Sequence, residues 1–127
     1  EQKLRDRLAT LERLGPQGMA QARAAAMLSP GAPAELVDAV RDSMAQVIPA
    51  GYTQAARLLA HGTLAADLAQ WHWPLVVASG NADSITTPAS CQAVAQAASV
   101  AWNDLGSVGH ACPLEAPGAV NALLGLN

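Results

Sequence analysis

Phenylalanine is absent from this 127-residue chain, and aromatic residues of every kind make up only 3% of it. In a chain this rich in alanine, that lack reflects coding bias more than chemistry. Charge is sparse as well, with seven basic and ten acidic residues giving a net charge of −3. No basic run occurs and the arginines are scattered, so nothing argues for a nucleic-acid partner. No apolar stretch approaches the ~20 residues that a membrane span needs. No signal peptide is legible, and the chain opens at Glu1 rather than Met, as expected if its true N-terminus is missing.

Cysteine is equally scarce. Cys91 and Cys112 cannot make a disulfide framework, and they read as free thiols in a reducing, cytoplasmic compartment. His110-x-Cys112 lacks a second spaced pair of ligands, so no metal and no cofactor is expected. Cys112 is also a poor candidate nucleophile, because His110 would have to act as its base from two residues away.

What is present is about half apolar and sufficient for one domain at most. Leu4, Leu8 and Leu11 mark a helix that Gly15-Pro16 ends, and Gln17 to Leu28 reads as a second. Ser29 to Pro33 is a turn-forming linker. Leu36, Val37, Val40, Met44 and Val47 give a third helix closed by Pro49-Ala50-Gly51, and Tyr52 to Ala60 a fourth. Met19, Met27 and Met44 read as packing, and His61 and His72 as surface or boundary residues. Trp71 and Trp73, at the strand entry, read as packing too. Arg23, Arg41 and Arg57 read first as solvated helix faces; a guanidinium among them could also clamp a substrate carboxylate.

The informative stretch runs from Trp73 to Pro117. Trp73 to Ala78 is an apolar run of strand length, and Ser79 to Asp83 breaks it with an acid. Thr87-Pro88 starts a helix, with Thr at the N-cap and Pro at the first helical position. A second short run, Val100-Ala101-Trp102, leads through a glycine-rich loop to His110. This is the pattern of a crossover between two parallel strands. It sets Asp83 and His110 after the carboxyl ends of strands about 4.8 Å apart. An acid and an imidazole on such loops can form the orienting half of a nucleophile–His–acid triad.

These residues carry a family resemblance. Pro74 to Asp83, Thr86-Thr87-Pro88, Val108-Gly109-His110 and Leu114-Glu115-Ala116-Pro117 resemble the end of an α/β-hydrolase, over Pro74 to Leu124. Met27 to Pro30, Pro49 to Tyr52 and Ala55-Ala56-Arg57 resemble, more loosely, the cap of the 3-oxoadipate enol-lactonase-like branch. The resemblance implies an α/β fold with a helical cap over 1–70, then a core segment over 71–127 holding two parallel strands and a crossover helix. It also implies that Asp83 and His110 are the catalytic acid and base of a hydrolase acting on a small ester or lactone. The family's nucleophile sits in a Gly-x-Ser-x-Gly elbow, and no serine here has that setting. The oxyanion hole is missing with it. The expectation is therefore a C-terminal half whose partner is the N-terminal half of the same hydrolase, as a separate or nicked chain. Carbon–carbon bond, thioester, haloalkane and cofactor-free peroxidase chemistries share the fold and stay open. So do a degenerate binding domain and a free-standing helical interaction module.

Overall fold

The computed structural model describes residues 1–126; Asn127, the last residue of the expected core segment, lies outside the described residues. The chain forms two compact units. One comprises Glu1–Ala25 with Val37–Gly62, and the other Ala26–Leu36 with the chain from Thr63 onward.

The first unit is helical. It holds α1 (Gln2–Arg23), most of α2 (Ala34–Ala45) and α3 (Pro49–His61). The leucine stripe of α1 points inward as its spacing predicts, with Leu4 and Leu11 buried and Leu8 half-buried. α1 breaks at Gly15, whose φ of 64° and ψ of 178° lie in a region open essentially to glycine alone. Pro16 favours that extended ψ in the residue before it and then starts the next turns, which bury Met19 and Ala20. That second stretch stays α-helical only to Arg23 and finishes as a 3₁₀ turn over Ala24–Met27. Pro49 does not close the preceding helix as expected. It opens α3, because the first helical position needs no N–H and suits proline's fixed φ. α1 and α3 pack together, and Ala24, Val40 and Ala56 complete the unit's buried apolar set.

The second unit carries the sheet. Its order is α4 (Leu64–Leu68), β1 (Val77–Ser79), α5 (Pro88–Ala97), β2 (Trp102–Asp104), α6 (Cys112–Glu115) and α7 (Pro117–Leu123). β1 and β2 are parallel neighbours, with Val77 opposite Trp102, Ala78 opposite Asn103 and Ser79 opposite Asp104. α5 connects them and packs against both. It starts where the sequence says: Thr87 accepts the Ser90 N–H at 3.4 Å, and Pro88 takes the first helical position.

Both strands lie later than their apolar runs, and β1 is also shorter than its run. β1 occupies Val77–Ser79 rather than 73–78, and β2 Trp102–Asp104 rather than 100–102. A strand exists only where a partner bonds to it. Here each strand has the other as its ladder, and Pro74 has no N–H to give. Trp73 is 75% exposed and Val76 55%, so the apolar run extends beyond the paired segment into solvent.

Candidate active site

The site is built where the loops after β1 and β2 meet. Glycine at position 80 makes that meeting possible. A Cβ there would sit 1.9 Å from the Val108 carbonyl oxygen, so any side chain would force the loops apart. With the backbones this close, a chain of hydrogen bonds joins them. Leu105 N–H donates to the Ser79 carbonyl at 3.0 Å, Asn81 N–H to Gly106 at 2.9 Å and Ala82 N–H to Val108 at 3.1 Å. Side chains add to it. The Asn81 amide donates to Asp104 at 3.1 Å, and the Trp102 indole donates to the buried Ser79 hydroxyl at 2.9 Å.

Asp83 leaves this joined pair of loops buried, with 6% of its surface exposed. One carboxylate oxygen accepts the backbone N–H groups of Ile85 at 2.8 Å and Thr86 at 2.9 Å, which fixes the plane of the group. The other oxygen lies 2.9 Å from His110 Nδ1. Burial pushes the Asp83 carboxyl upward, but the His110 bond and the two backbone bonds outweigh it and hold it below the usual range. The carboxylate is therefore charged, and a charged carboxylate only accepts. Nδ1 of His110 then carries the proton and donates it to Asp83. The tautomer that results keeps the lone pair on Nε2, the nitrogen that can take a proton from a nucleophile.

His110 itself is half-buried. On one side, Gly109 N–H donates to the Glu115 carboxylate at 2.7 Å; on the other, Ala111 N–H donates to the Met27 carbonyl at 2.7 Å. Glu115 also accepts the Ser29 N–H, 3.1 Å from each oxygen, and the Ser29 hydroxyl. In the sequence Glu115 belongs to the stretch that resembles the end of an α/β-hydrolase and Ser29 to a turn-forming linker, with nothing to pair the two. A lone acid at the end of a four-residue helix carries no local signal of whom it binds.

The remaining sequence candidates fall elsewhere. Cys112 is a free thiol that burial pushes above its ordinary range. A backbone hydrogen bond opposes that shift, and the charges of Asp83 and Glu115 reinforce it. A thiol held protonated is a weak nucleophile. Arg23, Arg41 and Arg57 belong to the helical unit. Arg41 is engaged by Asp38 at 2.7 Å and Asp42 at 3.6 Å, Arg57 is exposed and Arg23 half-buried. Among the described residues no cluster of three or more metal-ligating side chains occurs, and no helix is long and apolar enough to cross a membrane.

Among solved structures the chain superimposes on a thermophilic esterase from Thermogutta terrifontis, determined with malate bound, at a TM-score of 0.81 and 22% identity. The match covers 97% of this chain and 47% of the esterase, so the chain spans about half that protein's length. The chain's fold corresponds to the C-terminal part of the α/β-hydrolase fold. No family model and no curated protein sequence matches the chain. In this fold the loops after the parallel strands are where ligands meet the protein. The Asp83–His110 pair lies on such loops.

Proposed function

We propose that the chain is the C-terminal portion of a serine-type α/β-hydrolase cleaving a small ester or lactone, and that it supplies the acid and the base of the triad. The observation that carries this reading is the 2.9 Å bond between His110 Nδ1 and a buried, doubly anchored Asp83. His110 Nε2 takes the proton from a serine hydroxyl as that oxygen attacks the carbonyl. It returns the proton to the leaving alkoxide, then activates water to release the acid. Asp83 holds the ring's orientation and tautomer and stabilises the imidazolium. The serine and the oxyanion hole come from the N-terminal portion of the same hydrolase. That portion is the partner in this reading, with no nucleic acid or cofactor in the reaction.

Open apolar surface on the sheet unit supports such a partner. Val76 and Ala78 share one face of the β1 run and, with Leu105, Val120, Leu123 and Leu124, line an open hollow of about 250 Å³. A parallel strand ordinarily has both faces covered. Arg23, Arg41 and Arg57 remain the arginines proposed for a substrate carboxylate, with Arg41 the least free because of its own ion pairs.

The test is reassembly. The chain is co-expressed with an N-terminal portion of an α/β-hydrolase carrying the Gly-x-Ser-x-Gly elbow, and nitrophenyl acetate cleavage is measured. Activity is expected from the pair and not from this chain alone, with a serine-directed phosphonate labelling the other portion. Ester cleavage by this chain unaided, or by the pair after His110→Ala, would overturn the reading.

A further inference from the structure

We propose that Glu115 is a positioning residue for His110: by binding Gly109 and Ser29 together, its carboxylate fixes the backbone from which the imidazole reaches Asp83. The inference concerns the Asp83–His110 pair, and its catalytic consequence rests on the function proposed above. The argument begins with the backbone. The N–H groups immediately before and after His110 are both committed, Gly109 to Glu115 at 2.7 Å and Ala111 to the Met27 carbonyl at 2.7 Å. Both acceptors bring the loop against the same segment, because Glu115 also binds the Ser29 N–H at 3.1 Å and the Ser29 hydroxyl.

The approach is tight enough to need glycine. A Cβ on Gly109 would lie 2.4 Å from the Leu28 carbonyl carbon and 2.6 Å from the Ser29 nitrogen. Two backbones meet here with their N–H groups on the same side, and neither can serve as the other's acceptor. A half-buried carboxylate resolves this, since it accepts on both oxygens and offers no hydrogen of its own. Burial pushes the Glu115 carboxyl up, but the Ser29 hydroxyl and the Gly109 and Ser29 N–H bonds hold it below the usual range. An amide in its place would turn one oxygen into an NH₂ group facing the Gly109 or the Ser29 N–H, setting donor against donor. Glu115→Gln is therefore the sharp test, although it removes no atom.

The primary readout is the His110 Nδ1 proton shared with Asp83, observed as a downfield signal by proton NMR of ¹⁵N-labelled chain and assigned by its loss in His110→Ala. A substitution that only lowers stability leaves this signal in place wherever the chain is folded. Glu115→Gln is expected to abolish or broaden the signal while the far-UV circular dichroism stays folded. Ser29→Ala removes the hydroxyl alone and should weaken the signal less. Glu115→Asp keeps the carboxylate on a stem one methylene shorter and should restore part of it. Should Glu115→Gln fail to fold, Ser29→Ala decides. An unchanged signal in a folded Glu115→Gln chain, or in Ser29→Ala where the first does not fold, overturns the proposal. In the reassembled hydrolase the same Gln substitution should lower kcat at least tenfold with KM nearly unchanged. If reassembly yields no ester cleavage but the NMR signal still depends on Glu115, the positioning role stands and the hydrolase reading alone fails.

Discussion

The two units of this protein differ in what they bury. In the helical unit the buried residues are apolar: Leu4, Leu11, Met19, Ala20, Ala24, Val40 and Ala56. In the sheet unit the apolar buried set is Leu28 and Ala95, and Ser79 and Asp83 are buried beside them. One unit is held by non-directional packing. The other is held around its site by hydrogen bonds that each need a partner at a fixed distance and angle. Both units leave large apolar side chains exposed, Ile48, Leu58 and Leu59 on the helical unit and Trp71, Trp73, Val76 and Leu124 on the sheet unit. Packing tolerates substitution of similar volume, whereas the bonded loops specify one geometry and give way when a single acceptor is lost. On the function proposed above, that contrast suits a unit that holds an imidazole against a carboxylate.

The largest expected effect comes from the acid. Asp83→Asn in the reassembled hydrolase should keep the loops in place, because an amide oxygen can still accept from Ile85 and Thr86. It favours the wrong imidazole tautomer and should cost about four orders of magnitude in kcat. Steady-state kinetics on nitrophenyl acetate checks this. A loss below tenfold would break the link between the bonded loops and catalysis.

Removing packing from the other unit should do the reverse. Met19→Ala opens a cavity at a residue only 4% exposed, and should destabilise the fold by about 2–5 kcal/mol. It should leave the His110 Nδ1 proton signal unchanged in the folded protein. Urea unfolding followed by circular dichroism gives the first number, and NMR gives the second. Loss of the signal would show that the contrast between the units is wrong.

Gly80→Ala sharpens the comparison from the loop side. It adds one methyl group where the Val108 carbonyl stands 1.9 Å away, against backbone that cannot swing aside. The strain should cost about 1–3 kcal/mol, and the Asn81 and Ala82 amides should exchange faster with solvent. Hydrogen exchange unaltered at those two amides would contradict the close approach.

Acid is the gentlest perturbation. Asp83 and Glu115 both titrate lower in the folded chain than their ordinary values. A depressed pKa stabilises the fold fully above the unfolded value, about pH 4 for these groups. That contribution is lost as pH falls through the folded values. Urea midpoints measured from pH 6 downward should therefore fall at and below pH 4. In Asp83→Asn the fall should be smaller. Identical slopes in the two proteins would remove Asp83 from the account.

Much of the site could be read from residue order. Thr87-Pro88 marks α5 because an N-cap and a first-position proline are local signals, and α5 begins there. Asp83 and His110 each follow a short apolar run, and the two side chains meet at 2.9 Å. The extent of the strands was not legible. Val76 and Val100 are as apolar as any strand residue, but hydrogen-bond partners rather than apolarity decided that the ladder holds 77–79 and 102–104. Pro49 misled because proline both follows and starts helices, and only the packing of α3 against α1 shows which it did.

Composition, the local start signals and the order acid–helix–histidine are thus legible in the residues, since each is read along the chain and needs no contact between distant positions. Tertiary structure alone decided what surrounds the pair. Glu115 meets Ser29 across 86 positions, and Gly80 meets Val108 across the sheet. No periodicity or propensity links residues that distant. Such contacts exist only once the chain has folded and brought these segments together, because a hydrogen bond needs its partner within about 3 Å whatever the chain length between them.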